Sequence, residues 1–196
     1  MIKNVIFDLG NVVLKLKWNV VLDKYSDNQE DKELLNKVIF ESEEWQKLDE
    51  GTIKKQDAIN IMISKLPQRL HNSCIGIMRD WQEGFVINTQ ILEFINTLKN
   101  NGYHTYILSN APLDVPVYLE KANLNKYFDG KIISAEEKLF AIRFCNALDA
   151  VLWSAVLLKF ISLIPPKTNT YLTLLWSKEV SAIALSNCVE KVVPTV

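Results

Sequence analysis

The fold of this chain is decided by Val5-Ile6-Phe7-Asp8-Leu9-Gly10-Asn11-Val12-Val13, close to the start of the sequence. Residues 3–8 form a short apolar run rich in β-branched side chains, and the turn formers Gly10 and Asn11 follow it. This pattern is typical of a buried parallel strand that ends in a turn. A carboxylate at a strand end can attack a phosphorus or carbon centre and form a covalent intermediate. Asp8 is therefore a candidate nucleophile, and the alternative is that it only accepts hydrogen bonds from turn amides.

The sequence changes to a charged, helix-favouring texture over residues 18–84. Apolar residues recur at helical spacing within 34–39 and again within 58–66, which predicts two helices with one buried face each. The second helix is predicted to end at Pro67, because proline cannot continue a hydrogen-bonded helix. A third helix is predicted from about residue 68 to 83, and no strand is predicted in this stretch.

Helix and strand alternate again from residue 89 onward. Thr89 can cap a helix that stops at Gly102, a residue suited to a left-handed terminating position. Strands are predicted over 103–108 and 131–134, with a helix over 113–123 between them. The alternation predicts an α/β fold with a three-layer, Rossmann-like parallel sheet. The expected core comprises residues 1–14 and 89–196, and residues 15–88 form an inserted helical subdomain.

Two polar residues follow the second predicted strand. Ser109 and Asn110 end that strand as Asp8 ends the first, and ligands of parallel sheets bind in the crevice at the carboxyl ends of the strands. Residues about a hundred positions apart can therefore meet in one pocket. Ser109 and nearby backbone amides could donate hydrogen bonds to a phosphate. The pair could also cap the next helix, and the two roles are compatible because both use amides at a helix N-terminus.

Four segments resemble, in family order, the motifs of the haloacid dehalogenase (HAD)-like hydrolase superfamily. Phe7-Asp8-Leu9-Gly10-Asn11-Val12 resembles its first motif, in the phosphatase branch where glycine replaces the second aspartate, and Ile107-Leu108-Ser109-Asn110-Ala111 resembles its second. Residues 49–53, with the helix after them, resemble the small helical cap inserted after the first motif. Residues 127–139 resemble the run that leads into the third motif. The resemblance covers about residues 2–140.

This resemblance implies roles for four residues. Asp8 would be the nucleophile and a ligand of Mg2+, and Gly10 would offer its backbone carbonyl to the same ion. Ser109 would hold the phosphoryl oxygens of a small phosphorylated substrate, while Asn110 would shape the site. In most relatives an aspartate two residues after the nucleophile protonates the leaving group, which Gly10 cannot do.

The resemblance ends near residue 140. The family would place a lysine and a proline where this chain has Ala141 and Ile142, and Lys138, three residues early, is not assigned the lysine's role. The acidic pair that would complete a Mg2+ site is also missing, since 20 of the 23 acidic residues fall within 1–138. Glu179, after a strand expected over 171–175, is a weak substitute ligand. Residues 139–196 are therefore divergent. A reading-frame shift near codons 139 and 140 would explain this, and it predicts that another frame restores the missing residues.

The composition indicates which binding partners and which cellular compartment to expect. The net charge is -1, from 22 basic and 23 acidic residues, so no overall field favours nucleic acid or an anionic membrane. Three widely spaced cysteines without a CxxC pair fit a reducing compartment. The first apolar run is too short for a signal peptide, which predicts a cytoplasmic location. Residues 150–164 are mostly apolar but shorter than the roughly 20 residues of a membrane span, so a buried helix is expected.

Two principal functional hypotheses follow. The resemblance predicts a Mg2+-dependent phosphatase that acts on a small phosphorylated metabolite through an aspartyl-phosphate on Asp8. The missing lysine and acidic residues favour the alternative, a catalytically impaired or frame-shifted relative that acts as a binding module. Dehalogenation by the same nucleophile is a third hypothesis. Three tryptophans could line a substrate pocket or could simply pack: Trp18, Trp45 and Trp81. The sequence does not indicate the substrate or the oligomeric state.

Overall fold

The computed structural model of the protein describes residues 2–138, 171–173 and 182–186. Its main sheet has five strands, and these are β1 (Ile2–Phe7), β4 (His104–Ser109), β5 (Gly130–Ile133), β6 (Tyr171–Thr173) and β7 (Ala182–Ser186). Their order across the sheet is β5-β4-β1-β7-β6. A separate antiparallel pair consists of β2 (Leu14–Leu16) and β3 (Phe85–Ile87).

The parallel half of the sheet confirms the α/β fold. Strand β1 pairs in parallel with β4, with Phe7 opposite Ile107, and β4 pairs in parallel with β5, with Ser109 opposite Ile133. The apolar side chains of the three strands, such as Phe7, Ile107 and Ile133, are buried, as expected for parallel strands. The carboxyl ends of the strands lie at one edge of the sheet, where Ser109 is paired with Ile133 and Phe7 with Ile107.

The other half of the sheet differs from the expected parallel arrangement. Strand β7 runs antiparallel to β1, with Phe7 opposite Ala182 and Ile2 opposite Ser186, and β6 runs antiparallel to β7. The start of β7, rather than its end, therefore lies beside the carboxyl end of β1. Strand β6 covers residues 171–173 of the strand expected over 171–175.

Five helices lie between β2 and β3 and pack on one another. We call them the helical cluster: α1 (Trp18–Tyr25), α2 (Gln29–Ile39), α3 (Glu43–Asp49), α4 (Lys55–Ser64) and α5 (His71–Asp80). Short 3-10 helices precede and follow α5, at Gln68–Leu70 and Trp81–Gly84. Their buried side chains, including Leu35, Ile39, Met62 and Ile77, form a hydrophobic core of their own. The apolar helical faces predicted within 34–39 and 58–66 are thus the buried faces of α2 and α4.

Three helices accompany the sheet: α6 (Thr89–Asn100), α7 (Asp114–Lys121) and α8 (Ser134–Glu137), with a 3-10 helix at Asn125–Tyr127. Leu92 and Ile95 of α6 pack with Phe7 and Ile107 of the strands in a second hydrophobic core. Gly102 follows α6 with φ of 78°, which confirms the left-handed terminating residue. The helix predicted over 113–123 is α7, and the strand predicted over 131–134 is β5.

One local prediction was wrong, and one short strand was not predicted. Thr89 is the first residue of α6 rather than its cap, because Asn88 occupies the cap position and donates a side-chain hydrogen bond to the Val12 carbonyl over 3.0 Å. Strand β3 was missed because a three-residue strand is too short for a period-two pattern to be recognised. Its pairing with β2 joins the two chain segments that flank the helical cluster.

Among the described residues, no helix is both long and apolar enough to cross a membrane. The helix expected within 150–164 and the candidate ligand Glu179 lie outside the described residues. The single cysteine in the described part of the chain, Cys74, is buried and has a free thiol. Burial raises the pKa of this thiol to about 11.

Candidate active site

Asp8 and Ser109 meet at the edge of the sheet as the sequence predicted. Asp8 follows β1 directly and Ser109 is the last residue of β4, so the parallel pairing of these strands brings both to the same level. The Ser109 hydroxyl donates a hydrogen bond to Asp8 Oδ1 over 2.8 Å, and the Leu9 amide donates to the same oxygen over 2.7 Å. Ser109 is buried, with 2% of its surface exposed. The carboxylate is therefore held in one orientation by two donors.

Opposing influences act on the charge of Asp8. Burial, the largest of them, raises the pKa of this carboxyl, whereas hydrogen bonds from Ser109 and from the backbone amides of Leu9 and Gly10 lower it. The net pKa lies above the ordinary aspartate value. Desolvation makes a carboxylate a better nucleophile once it is ionised, and the three donors favour that ionised form. The site thus combines burial with hydrogen bonds that stabilise negative charge.

Gly10 and Asn110 flank this pair. Gly10 begins the turn after Asp8 and bridges to Leu14, and it does not have a positive φ. A Cβ at this position would make only an ordinary contact with Leu16, at 3.6 Å. The backbone and the space around Gly10 therefore do not require glycine. Asn110 follows Ser109 and is half-buried beside the site.

The helical cluster touches the strand ends close to this pair. The Ser134 hydroxyl, at the start of α8, accepts a hydrogen bond from the Ala111 amide over 3.0 Å and donates to the Asp49 carbonyl at the end of α3. Gly51 has φ of 68° and packs against the backbone of Ala135, where any side chain would collide. This explains the glycine in the 49–53 motif, because both its conformation and its close approach exclude other residues.

A cavity of about 470 Å³ lies where the helical cluster meets the sheet. Trp45, Met78 and Trp81 of the cluster and its flanking 3-10 helix form an apolar wall, and Pro112 and Leu113 close the opposite side. Its polar lining is mainly basic, and comprises Thr52, Lys54, Lys55, Asp114 and Lys138. Asp8 and Ser109 are not among the lining residues. Pro112, which lines the cavity, lies three residues after Ser109 in the sequence.

Asp114 ties the two sides of the cavity together. Its carboxylate accepts hydrogen bonds from Lys55 Nζ over 2.6 Å and from Trp81 Nε1 over 3.1 Å, and its carbonyl accepts one from Gln82 Nε2 over 2.9 Å. The three donors come from the helical cluster and its flanking 3-10 helix, whereas Asp114 begins α7. These hydrogen bonds, one of them to a charged lysine, fix the position of α7 relative to the helical cluster.

The tryptophans combine the two roles that the sequence left open. Trp45 and Trp81 line the cavity and also pack edge to face, with ring centroids 5.0 Å apart. Trp18 does not line the cavity but stacks on Phe40 at 4.3 Å. Sequence reasoning missed Lys54, Lys55 and Asp114, because isolated charges in a helical stretch carry no motif. It considered Lys138 only as a replacement for a family lysine.

The described donors fit Mg2+ only partly. Asp8 offers a hard carboxylate oxygen and Gly10 a backbone carbonyl next to it, and Mg2+ is commonly held by one or two carboxylates together with water and substrate phosphate. Within residues 2–138, 171–173 and 182–186, no group of three or more His, Cys, Asp or Glu side chains could hold a metal ion. A Mg2+ ion bound by the described residues would therefore depend on Asp8.

Solved structures share this architecture. A HAD family enzyme from Bacteroides thetaiotaomicron matches with a TM-score of 0.53 and 21% identity, over 85% of this chain and 81% of that one. An aspartate-to-alanine variant of it, in complex with magnesium and inorganic phosphate, matches with a TM-score of 0.52 and 20% identity, over 82% of this chain and 79% of the other. A dehalogenase matches with a TM-score of 0.54 and 16% identity, over 85% and 74% of the two chains.

These likenesses define the class of fold. The chain has a Rossmann-like α/β fold, which it shares with the solved HAD family enzyme and with the dehalogenase. No protein-family model and no curated protein sequence matches the chain.

Proposed function

We propose that this protein is a Mg2+-dependent phosphatase that hydrolyses a small phosphorylated metabolite through an aspartyl-phosphate on Asp8. The observation that carries the proposal is the hydrogen bond between Asp8 and Ser109, two residues 101 positions apart that meet at the ends of adjacent parallel strands. A buried carboxylate oriented by a hydroxyl and a backbone amide suits nucleophilic attack on phosphorus. The magnesium and phosphate in a structural neighbour support the same chemistry.

The proposed reaction has two displacements. An oxygen of Asp8 attacks phosphorus, the bond from phosphorus to the ester oxygen breaks, and the alcohol leaves after it gains a proton from solvent. Water then attacks the phosphoryl group on Asp8, which releases inorganic phosphate and regenerates the carboxylate. Ser109 would donate to the transferred phosphoryl oxygens as they gain charge, and Asn110 would shape the same side of the site.

Mg2+, when bound, would neutralise the charge that the phosphate and Asp8 bring together. Asp8 and the carbonyl of Gly10 are the residues that would hold it. The helical cluster would act as a cap that controls access, with the core formed by residues 1–14 and 89–196 and the cap by residues 15–88. Contacts between the cluster and residues 89–196 support this division, since Lys55 of α4 bonds to Asp114 after β4 and Asp49 of α3 accepts from Ser134 after β5.

The test is release of inorganic phosphate from a panel of sugar phosphates and nucleotides in the presence of Mg2+. We expect turnover of at least one compound by the natural sequence and a loss of about 1,000-fold or more in Asp8→Asn, because removal of a nucleophile abolishes the covalent route. Equal background release by both proteins would contradict the proposal. Halide release from a haloacid, lost in the same variant, would instead support dehalogenation.

A second candidate is a binding module without catalysis. The antiparallel direction of β7 favours it, because the end of that strand lies away from Asp8. Within the described residues, no group of three or more His, Cys, Asp or Glu side chains that could hold a metal ion accompanies Asp8. Thermal unfolding with phosphate and Mg2+ separates the candidates, since a ligand that binds only the folded state raises its stability. A phosphate-dependent rise in Tm without turnover of any compound would support the binding module.

A further inference from the structure

The cavity between the helical cluster and the sheet carries an unbalanced positive charge. Its lining includes three lysines, Lys54, Lys55 and Lys138, and one acidic residue, Asp114. Lys55 is already neutralised, because its ammonium group lies 2.6 Å from the Asp114 carboxylate. Within the described residues, Lys54 and Lys138 make no ion pair or side-chain hydrogen bond. Two positive charges therefore face the cavity without a described counter-charge.

The two lysines approach the cavity from opposite parts of the molecule. Lys54 occupies the cap position before α4, in the helical cluster, and Lys138 follows α8 at the sheet. Lys138 has φ of 53°, a left-handed conformation that residues other than glycine adopt infrequently. This conformation commonly ends a helix, and the Lys138 amide donates a hydrogen bond to the Ser134 carbonyl of α8. An anion between the two lysines would be attracted by both charges.

The dimensions and the remaining lining fit a small metabolite. A volume of about 470 Å³ lies within the range of small-molecule sites, roughly 300–1,000 Å³. Trp45 and Trp81 provide apolar surface between the charged groups. Pro112, also in the lining, lies three residues after Ser109, and the Ala111 amide between them is hydrogen-bonded to Ser134. The cavity therefore borders the loop that follows Ser109.

We propose that Lys54 and Lys138 bind a second anionic group of the substrate, a carboxylate or a phosphate, while the transferred phosphoryl group lies at Asp8 and Ser109. The substrate class is then a phosphate monoester with another negative charge on its leaving group. This inference rests on the proposed function for the position of the first phosphate. The lysine pair itself is a binding subsite, and its occupancy can be measured without turnover.

The experiment compares phosphate monoesters of similar size in the Asp8→Asn background, which prevents hydrolysis. 3-Phosphoglycerate carries a carboxylate, propane-1,3-diyl bisphosphate carries a second phosphate, and glycerol 3-phosphate carries a neutral end. Binding is followed by tryptophan fluorescence, because Trp45 and Trp81 line the cavity. We expect the Kd of at least one doubly anionic compound to be about fivefold or more below that of glycerol 3-phosphate, the scale of partly exposed charge pairs.

Variants identify the lysines as the source of this preference. Lys54→Gln and Lys138→Asn, the latter chosen because asparagine tolerates the left-handed conformation, should each bring the ratio of the two Kd values toward one. Lys121→Gln is the matched control, since Lys121 lies in the last turn of α7 outside the cavity lining and loses the same charge. Thermal unfolding confirms that each variant is folded.

The outcomes separate this inference from the proposed function. A preference for a carboxylate or a phosphate that both lysine variants remove supports the subsite and identifies its ligand. No preference, or a preference that both variants retain, overturns the subsite even if the natural sequence releases phosphate. A lysine-dependent preference without phosphate release from any compound supports the subsite and contradicts the phosphatase.

Discussion

The strand that carries Asp8 has two different neighbours, and the comparison explains how the candidate site is built. On one side β4 runs parallel to β1 and brings its last residue, Ser109, within 2.8 Å of Asp8. On the other side β7 runs antiparallel, so that its first residue, Ala182, lies opposite Phe7. Parallel neighbours align their carboxyl ends, whereas an antiparallel neighbour contributes its beginning.

The difference separates what is present at the site from what is missing. The parallel side supplies a hydroxyl donor, the turn amides and the contacts with the helical cluster. The antiparallel side supplies the start of a strand, and within the described residues no cluster of acidic side chains accompanies Asp8. The described residues therefore orient Asp8 from the parallel side, and they include no group of three or more metal-ligating side chains. Four predictions test this comparison.

Loss of the Ser109 hydroxyl should have the largest effect. Ser109→Ala removes a donor to Asp8 and to the bound phosphate, and we expect kcat to fall by about 100-fold or more, as for removal of one donor from a preorganised site. Because this hydrogen bond lowers the pKa of Asp8, its loss should also move the acidic limb of the pH–rate profile to higher pH. Ser109→Thr, which retains a hydroxyl, is the control. An unchanged profile in the alanine variant would contradict the role of the pair.

Asp49 ends α3, where the helical cluster contacts the parallel half of the sheet. Ionisation of its carboxyl should make the free energy of unfolding depend on pH. Burial and the neighbouring charge of Glu50 raise the pKa of Asp49 to about 7. Its folded pKa therefore exceeds its unfolded pKa of about 3.9, so this contribution to stability is complete below pH 4 and is lost as the pH rises through 7. A difference of about three units between the two pKa values corresponds to about 4 kcal/mol in the free energy of unfolding. Partial contact of the carboxyl with water reduces the expected loss to about 2 kcal/mol.

Urea unfolding at pH 4, 6 and 8 measures this dependence. The free energy of unfolding of Asp49→Asn should lack the decrease between pH 4 and 8, and the variant should be more stable than the natural sequence at pH 8. Asp27→Asn, at an exposed position before α2, is the matched control. If both variants follow the natural pH dependence, Asp49 is not the titrating group.

The sequence predicted the parallel half of the sheet because local sequence patterns determine its strands. The apolar run before Asp8 and the strand before Ser109 specify buried strands, and the rule for parallel sheets brings their ends together. It did not predict the antiparallel β7, since the direction of a strand within a sheet depends on tertiary pairing that no local period records. The charged cavity was missed for a similar reason: Lys54, Asp114 and Lys138 become neighbours only when the helical cluster packs on the sheet.

Gly10 offers a gain-of-function test on the same turn. Its backbone does not need glycine and a Cβ fits, so Gly10→Asp should fold. A carboxyl group two residues after the nucleophile could protonate the leaving group, and general acids contribute about 100-fold or more when well positioned. We expect a smaller gain in kcat, about tenfold, because the surroundings have not been arranged for it. Gly10→Asn, which is similar in size but cannot donate a carboxyl proton, is the control, and an equal gain in both would exclude acid catalysis.

Mg2+ binding should have the smallest of the four effects. It tests whether the antiparallel side of β1 contributes a metal ligand beside Asp8. Because the described residues contain no group of three or more metal-ligating side chains, we expect a Kd in the millimolar range. At a concentration equal to Kd the stabilisation is RT ln 2, about 0.4 kcal/mol, and Asp8→Asn should abolish it. Titration followed by thermal unfolding measures both. Micromolar affinity would contradict the prediction and would require ligands beyond residue 138, where the acidic residues are Asp149, Glu179 and Glu190. Amide variants of these three would then identify the carboxylate that completes the site beside β1.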